Sequence, residues 1–295
     1  MNSDLTILLP TYNRSERLQI AVNSVLNQRN DNFRLIIFDN ASTDATRDYL
    51  RSLRDRRIQI FFNKKNVGMV RNVNLAIRSV KRGWLTFLCD DDYLAPDFTE
   101  VMNKGLAKTS ARVYLASSML QDENGTTIGT PQPNAHKFYS GPEGLSAGIV
   151  SHSLNSAGLS GYAIETSLFG DIRRKDIFRN YPGGFFSDTY LFFEAVLRGS
   201  LEATNSIIYH KVNWSGSATG GLNVVTWRMA KHRFISDMVK LLRTNESIFT
   251  GKKDILIQLF DCLQKLRSDD IFGKSSVIMD YYKYIKGKIK RYSRR

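Results

Sequence analysis

Gly83-Trp84-Leu85-Thr86-Phe87-Leu88-Cys89-Asp90-Asp91-Asp92-Tyr93-Leu94-Ala95-Pro96 is the stretch on which the fold turns. Trp84 to Leu88 is an apolar run with aromatic and β-branched residues, which predicts a short strand buried on both faces. It stops in three consecutive acids, whose like charges need solvent or a cation beside them. At the end of a strand of an open α/β sheet the cation gains weight, because such sheets bind ligands there. Hard divalent ions take carboxylate oxygens together with substrate phosphates, usually from one or two acids. The plain alternative is an acidic surface turn closed by Pro96. The chain upstream decides between them.

Asp4 to Leu9 is a short strand, apolar from Leu5 on and ending at Pro10, followed by the polar turn Thr11-Tyr12-Asn13-Arg14. Asn13 is placed to cap the next helix, with Glu16 completing a capping-box-like pair. Leu18, Val22, Val25 and Leu26 then share one helical face. Phe33 to Phe38 is the second strand and ends in Asp39. The turn Asp39-Asn40-Ala41-Ser42-Thr43-Asp44 leads into a second helix with a Ser or Thr cap. Ile58 to Phe62 is the third strand. Asn66-Val67-Gly68 opens a third helix with Val73, Ala76, Ile77 and Val80 as its buried stripe. Arg71, Asn74 and Arg78 fall on another face, as plain surface or, for an Arg near the helix start, as a phosphate clamp.

Strand and helix alternating up to the Trp84 strand predict a doubly wound parallel sheet. Right-handed crossovers send the first three strands one way and return the fourth beside the first. That sets Thr11 to Arg14 next to Asp90-Asp91-Asp92, at the reversal of strand order where ligands bind. Neither a Gly-x-Gly-x-x-Gly nor a Walker sequence follows the first strand, so dinucleotide-binding and P-loop classes are excluded.

Beyond residue 97 the pattern loosens. Phe98, Val101, Met102 and Leu106 predict a helix, Val113 to Ser117 a strand, and Gln121 to Gly125 a hairpin turn. Ser187 is a plausible N-cap for a helix with Leu191, Phe192, Ala195 and Val196 inward, ending at Gly199. From spacing alone Asp188 is a cap-region acid favoured by the helix dipole. Ile207 to Tyr209 is a strand, and Ser215 to Gly221, rich in Gly and hydroxyls, is a candidate lid. From Val225 amphipathic helices follow, with Phe234, Met238 and Leu241 and later Ile255, Leu259 and Leu263 on their apolar faces. The resulting division is 1–222 as an α/β domain, split into 1–118 and 119–222, and 223–295 as a basic helical extension.

Composition sets bounds. The apolar share of 42% suits a globular chain, and two cysteines point to a reducing compartment. The formal charge is +14, and residues 226–295 hold 17 Lys+Arg against 7 Asp+Glu. With no helix-turn-helix, zinc or RNA-binding signature, an anionic membrane surface is favoured over nucleic acid as the partner of that segment, with a solvated basic tail as the plain alternative. In Tyr281 to Arg295, Tyr281, Ile285, Ile289 and Tyr292 form one helical stripe flanked by Lys, as in a helix lying among headgroups or packed on the protein itself.

Pro10-Thr11-Tyr12-Asn13-Arg14, Asp39 to Asp44, Asn66-Val67-Gly68 with Arg71-Asn72, and Asp90-Asp91-Asp92 with Pro96 together resemble the family 2 glycosyltransferases of the GT-A fold. Order and spacing agree over residues 4–100 and continue loosely to about residue 220. The resemblance implies a GT-A-like nucleotide-binding sheet flanked by helices, with the C-terminal helical extension added. It implies that Pro10, Thr11, Tyr12, Arg14, Asp39, Asn40, Ser42, Asn66, Gly68, Arg71, Asp90 and Asp91 bind a nucleotide-sugar, with Asp39 on the base. Asp91 and Asp92 would hold a divalent metal, Mg²⁺ or Mn²⁺. The family's Asp-x-Asp-Asp register places its first acid on Cys89, a departure that leaves Asp91 as the foremost ligand. Asp188 resembles the family's catalytic base.

The implied reaction is inverting transfer from a UDP- or dTDP-sugar to a hydroxyl of a glycan or lipid-linked acceptor. It would serve bacterial surface polysaccharide synthesis, in the cytoplasm or peripherally at the inner membrane face. Two rivals stand: a nucleotidyltransferase acting on sugar phosphates, and a non-catalytic glycan- or nucleic-acid-binding protein.

Overall fold

The structure, a computed structural model, describes residues 4–128, 137–139, 143–144, 160–170, 177–214 and 223–244, with Lys283 and Gly287 beyond them. The candidate lid Ser215–Gly221 and the helices from residue 245 on, the basic stripe included, lie outside the described residues apart from those two positions.

Four strands open the fold: β1 (Leu5–Thr11), β2 (Arg34–Asp39), β3 (Ile58–Phe62) and β4 (Trp84–Phe87). They are separated by α1 (Ser15–Leu26), α2 (Thr46–Ser52) and α3 (Met69–Ser79). All four pair in parallel in the order β3-β2-β1-β4, so the strand order reverses between β1 and β4 as the crossover rule requires. Along β1, Leu5, Ile7 and Leu9 face one layer while Leu8 faces the other, the period of two that a strand buried on both sides must satisfy. The first layer holds α1 and α4 (Phe98–Leu106) through Leu18, Val22, Phe98 and Met102. The opposite layer holds α3, α5 (Ser187–Arg198) and α6 (Val224–Thr244) through Val73, Ile77, Leu191, Phe192, Phe234 and Met238.

The sheet then turns mixed. β5 (Tyr93–Leu94), β6 (Val113–Asp122), β7 (Lys137–Tyr139), β8 (Tyr162–Glu165) and β9 (Leu201–Asn213) extend it to nine strands among the described residues. β8 is antiparallel to both β4 and β6, β6 runs parallel to β9, and β5 closes the edge antiparallel to β9. β6 crosses residue 118 without a break, so one sheet carries both halves of the α/β region. The hairpin turn after β6 forms, with Gln121 bridging Thr127.

Four local expectations change. Asn13 does not cap α1: its own φ is +51°, and its side-chain oxygen accepts the Thr43 amide (2.8 Å) from the neighbouring loop. The first amides of α1 are satisfied from that loop instead, Arg14 N–H by the Thr46 hydroxyl (3.1 Å) and Ser15 N–H by Asp44 (3.3 Å). No Ser or Thr caps α2, since Asp44 takes the Thr46 amide (3.0 Å). Ser187 is the first residue of α5 rather than its cap, a place taken by Phe186 in a left-handed conformation (φ +65°). Asn74 is buried, not on a solvent face: its amide donates to the Phe178 carbonyl (2.8 Å) and its oxygen accepts the Phe178 amide (3.1 Å).

Candidate active site

The loops after β1, β2 and β3 form one polar block at the carboxyl ends of the strands. The Asn40 amide donates to the Thr11 carbonyl (2.9 Å), and the Asn13 amide to the Ser42 hydroxyl (2.9 Å). Asn40 then ties the second loop to the third. Its oxygen accepts the Val67 amide (2.9 Å) and Asn63 (3.2 Å), while its NH₂ donates to Asn66 (2.9 Å). Asn63 continues to Asn72 (2.9 Å), and Asn72 to the Phe38 carbonyl (3.0 Å). Gly68 starts α3 at φ +83°, a backbone conformation that penalises any side chain. Asn40, Ser42, Asn66 and Gly68 thus shape these loops.

Asp39 is fully buried. Its carboxylate accepts Arg47 Nε (2.7 Å) and the Ser42 amide (3.1 Å), and Arg47 reaches on to the Asn63 carbonyl (2.8 Å). Tyr12 stands exposed at the rim, Pro10 is half-buried behind it, and Arg71 is exposed in the first turn of α3. Arg71 forms no ion pair among the described residues.

The three acids after β4 have different surroundings. Asp90 lies against Thr11, the Tyr12 amide and Arg14, yet burial and the charge of Asp91 outweigh them and push its pKa up to about 7. Asp92 is buried and spends both oxygens on the distant strand β9, one on the Tyr209 hydroxyl and the other on the Val212 amide (2.9 Å). Burial and Asp91 raise its pKa well above the usual carboxylate range. Asp91 accepts the Trp214 indole N–H on one oxygen (3.1 Å), and its other oxygen has no partner among the described residues. Cys89, Asp91 and Asp92 each offer a ligand atom within 4.8 Å of the others. The thiol is a poor partner for a hard ion: burial and the three acids keep it protonated, and it accepts the Ser160 hydroxyl (3.3 Å). The donor set therefore fits an oxygen-seeking cation centred on Asp91, with substrate phosphates supplying further oxygens.

Asp188 approaches from the opposite layer. Pro182–Gly184 forms a short 3₁₀ turn, and Gly183 (φ +66°), Gly184 (φ +74°) and Phe186 bend the chain into α5. A side chain at Gly184 would overlap Met69, so this turn sits directly on the start of α3. The left-handed Phe186 costs about 1–3 kcal/mol. Its ring is held by stacking on Phe234 (5.1 Å, 16°) and by Trp227 (5.8 Å) of α6. Half-buried Asp188 accepts the Thr189 amide (2.7 Å), and its carbonyl accepts the Tyr162 hydroxyl (3.4 Å). Burial, then the charges of Asp188 and Cys89, raise the Tyr162 pKa, which places that phenol between the two. Cys89, Ser160 and Tyr162 thus link the end of β4 to the start of α5.

The sequence profile described as Glycosyl transferase family 2 matches residues 6–159, just over half of the chain. The chain belongs to glycosyl transferase family 2. Among family relatives, the putative teichuronic acid biosynthesis glycosyltransferase TuaG of Bacillus subtilis is 28% identical over 143 residues, 48% of this chain and 54% of that one. The Escherichia coli UDP-Glc:alpha-D-GlcNAc-diphosphoundecaprenol beta-1,3-glucosyltransferase WfaP is 33% identical over 114 residues, 39% of this chain and 45% of that one. The chain spans about half the length of these curated relatives. S. aureus TarS 1–349, solved with UDP-GlcNAc, superposes with a TM-score of 0.62 over 98% of this chain and 92% of that one, at 16% identity. That likeness is one of fold, and it agrees with the GT-A-type sheet expected from the family motifs.

Family motifs did not point to Trp214, Tyr209, Arg47, Ser160 or Tyr162. Arg47 carried a faint signal as a cation eight residues after Asp39 on the next helix. The other four reach the site through β8 and β9, whose pairing no local pattern announces.

Proposed function

We propose that this chain is an inverting, metal-dependent glycosyltransferase. It moves a sugar from a UDP- or dTDP-sugar to a hydroxyl of a glycan acceptor, lipid-linked, in bacterial surface polysaccharide synthesis. The observation that supports the reading most is Asp91 at the end of β4, with an oxygen free of described partners; the contacts of Ser160 with Cys89 and of Tyr162 with Asp188 tie that strand end to the start of α5. Thr11, Tyr12, Arg14 and the Asp39–Ser42 loop take the nucleoside. Residues 1–118 form the donor half and 119–222 the acceptor half.

Asp91, with Asp92 beside it, would hold Mg²⁺ or Mn²⁺. When bound, that ion supplies Lewis-acid neutralisation of the leaving nucleoside diphosphate. Asp188 takes the proton of the acceptor hydroxyl as it attacks the anomeric carbon from the side opposite the diphosphate, and in-line displacement inverts that centre. A lipid-linked acceptor is supported by the diphosphoundecaprenol substrate in the name of WfaP and by the basic C-terminal segment. Work at the inner face of the cytoplasmic membrane follows from such an acceptor. Among the described residues no helix is long and apolar enough to cross a membrane.

The test is slow donor hydrolysis by the pure protein over a panel of nucleotide-sugars with Mn²⁺. One UDP- or dTDP-sugar should be turned over. Asp188→Asn should cut turnover about 10²–10⁴-fold with donor affinity nearly unchanged, because the base acts on the hydroxyl or water and not on the nucleotide. Pyrophosphate release from a nucleoside triphosphate and a sugar phosphate would make the chain a nucleotidyltransferase instead. Silence with every donor would make it a binding protein.

A further inference from the structure

Trp214 follows the last residue of β9, more than a hundred positions from the acids it meets. Its indole N–H donates to Asp91 Oδ2 at 3.1 Å. The guanidinium carbons of Arg14 and Arg17 lie over its ring, 4.8 and 4.6 Å from the centroid. Arg17 is further fixed by Glu123 at the hairpin after β6 (3.4 Å). One half-buried side chain therefore touches the acid with a partner-free oxygen and two cations from the loop and helix that follow β1.

The neighbouring acids sharpen the point. Asp92 is held by two groups of β9, so its orientation is set by the fold. Among the described residues Asp91 has a single donor, and that donor is Trp214. Without it, the Asp91 side chain has no described contact that selects one rotamer over another. An indole N–H only donates, so it fixes Oδ2 as the protein-facing oxygen and leaves Oδ1 without a partner among the described residues. The ring meanwhile attracts guanidinium groups through its π face, keeping Arg14 and Arg17 at the same end of the crevice.

We propose that Trp214 is a positioning residue for the donor diphosphate: its N–H orients Asp91 toward the cation, and its ring carries Arg14 and Arg17 to the phosphates. The inference rests on the nucleotide-sugar reading above and assigns within it a residue outside the family motifs. Two separable parts follow, an N–H part that acts only when the cation is present and a ring part that acts whether or not it is.

The experiment titrates UDP and dTDP into the full chain by calorimetry, once with Mn²⁺ and once with chelator. Trp214→Phe keeps an aromatic face and removes the N–H. Its affinity in chelator should match the wild type, while the gain from Mn²⁺ should fall by about tenfold, as expected for a lost hydrogen bond to a charged group. Trp214→Leu should weaken binding in both conditions. In an Asp91→Asn background, Trp214→Phe should produce no further change in the Mn²⁺ response. A full Mn²⁺ gain in Trp214→Phe overturns the proposal, as does an equal loss with and without the ion. Wild-type protein that binds neither nucleotide under either condition removes the nucleotide-sugar reading itself, which is a different result from a wild type that binds and a variant that does not differ.

Discussion

The two sides of the proposed site are built by different physics. On the donor side, the loops after β1, β2 and β3 are joined by hydrogen bonds among Asn13, Asn40, Asn63, Asn66, Asn72, Ser42 and Asp39. Each bond is short-range in space and follows from strands already adjacent in the sheet. On the acceptor side, Asp188 is presented by a turn with three left-handed residues whose one non-glycine member is clamped by aromatic rings of α6. The first side is a network that tolerates little change at any node. The second is a strained turn kept in place by packing, and its stability depends on a helix that follows it in the chain.

That contrast can be broken from the acceptor side first. Phe234 is buried, stacked on Phe186 and edge-on to Tyr181 (6.2 Å, 86°). Phe234→Ala should cost about 3–5 kcal/mol in denaturant unfolding. Turnover should fall as the Asp188 turn relaxes, while nucleotide affinity in calorimetry stays close to wild type. Equal losses of turnover and nucleotide binding would show that the two sides are one unit.

The donor side gives the complementary result. Asn40→Ala strips partners from the Val67 amide, Asn63 and Asn66 in a buried setting. A cost of about 1–3 kcal/mol is expected. Here nucleotide affinity should drop and the turnover of bound complex should hold. A variant with unchanged nucleotide affinity would mean that the loops keep their shape without the asparagine links.

The smallest effect sharpens the comparison by pH. Asp90 has its pKa pushed from 3.8 up to about 7, by burial first and then by Asp91. Across roughly pH 4 to 7 the folded chain keeps a proton that the unfolded chain has released, so this acid's contribution to stability declines as pH rises through that window. Asp92 acts in the same direction, whereas His210, whose pKa is lowered by burial, acts in the opposite one. Both groups remain in Asp90→Asn, which removes the titration of Asp90 itself together with the last and smallest of the effects that raise Asp92. In chelator buffer its melting temperature should match the wild type near pH 4 and exceed it above about pH 7. Parallel curves across the range would mean that Asp90 is not held in its neutral form.

The amino-acid sequence by itself determined the parallel order β3-β2-β1-β4, because apolar runs and amphipathic helices alternate and right-handed crossovers admit few arrangements. It also located the acids at the reversal of strand order, since each strand-ending acid lies a fixed distance from its own apolar run. Three helix starts differ from the local reading: α1 is served by the Asp44 carboxylate and Thr46 hydroxyl of the next connection, α2 by Asp44 rather than a Ser or Thr, and α5 is entered through left-handed Phe186, choices that local spacing does not encode. The tertiary structure alone decided how Asp90, Asp91 and Asp92 differ. They are identical in type and adjacent in sequence, yet Asp90 lies against Thr11, Tyr12 and Arg14 of the first loop, whereas the hydrogen bonds of Asp91 and Asp92 come from Tyr209, Val212 and Trp214, which arrive through the long-range pairing of β6, β9 and β5. The environment of a carboxylate depends on what is packed around it, and for Asp91 and Asp92 those neighbours come from more than a hundred residues away.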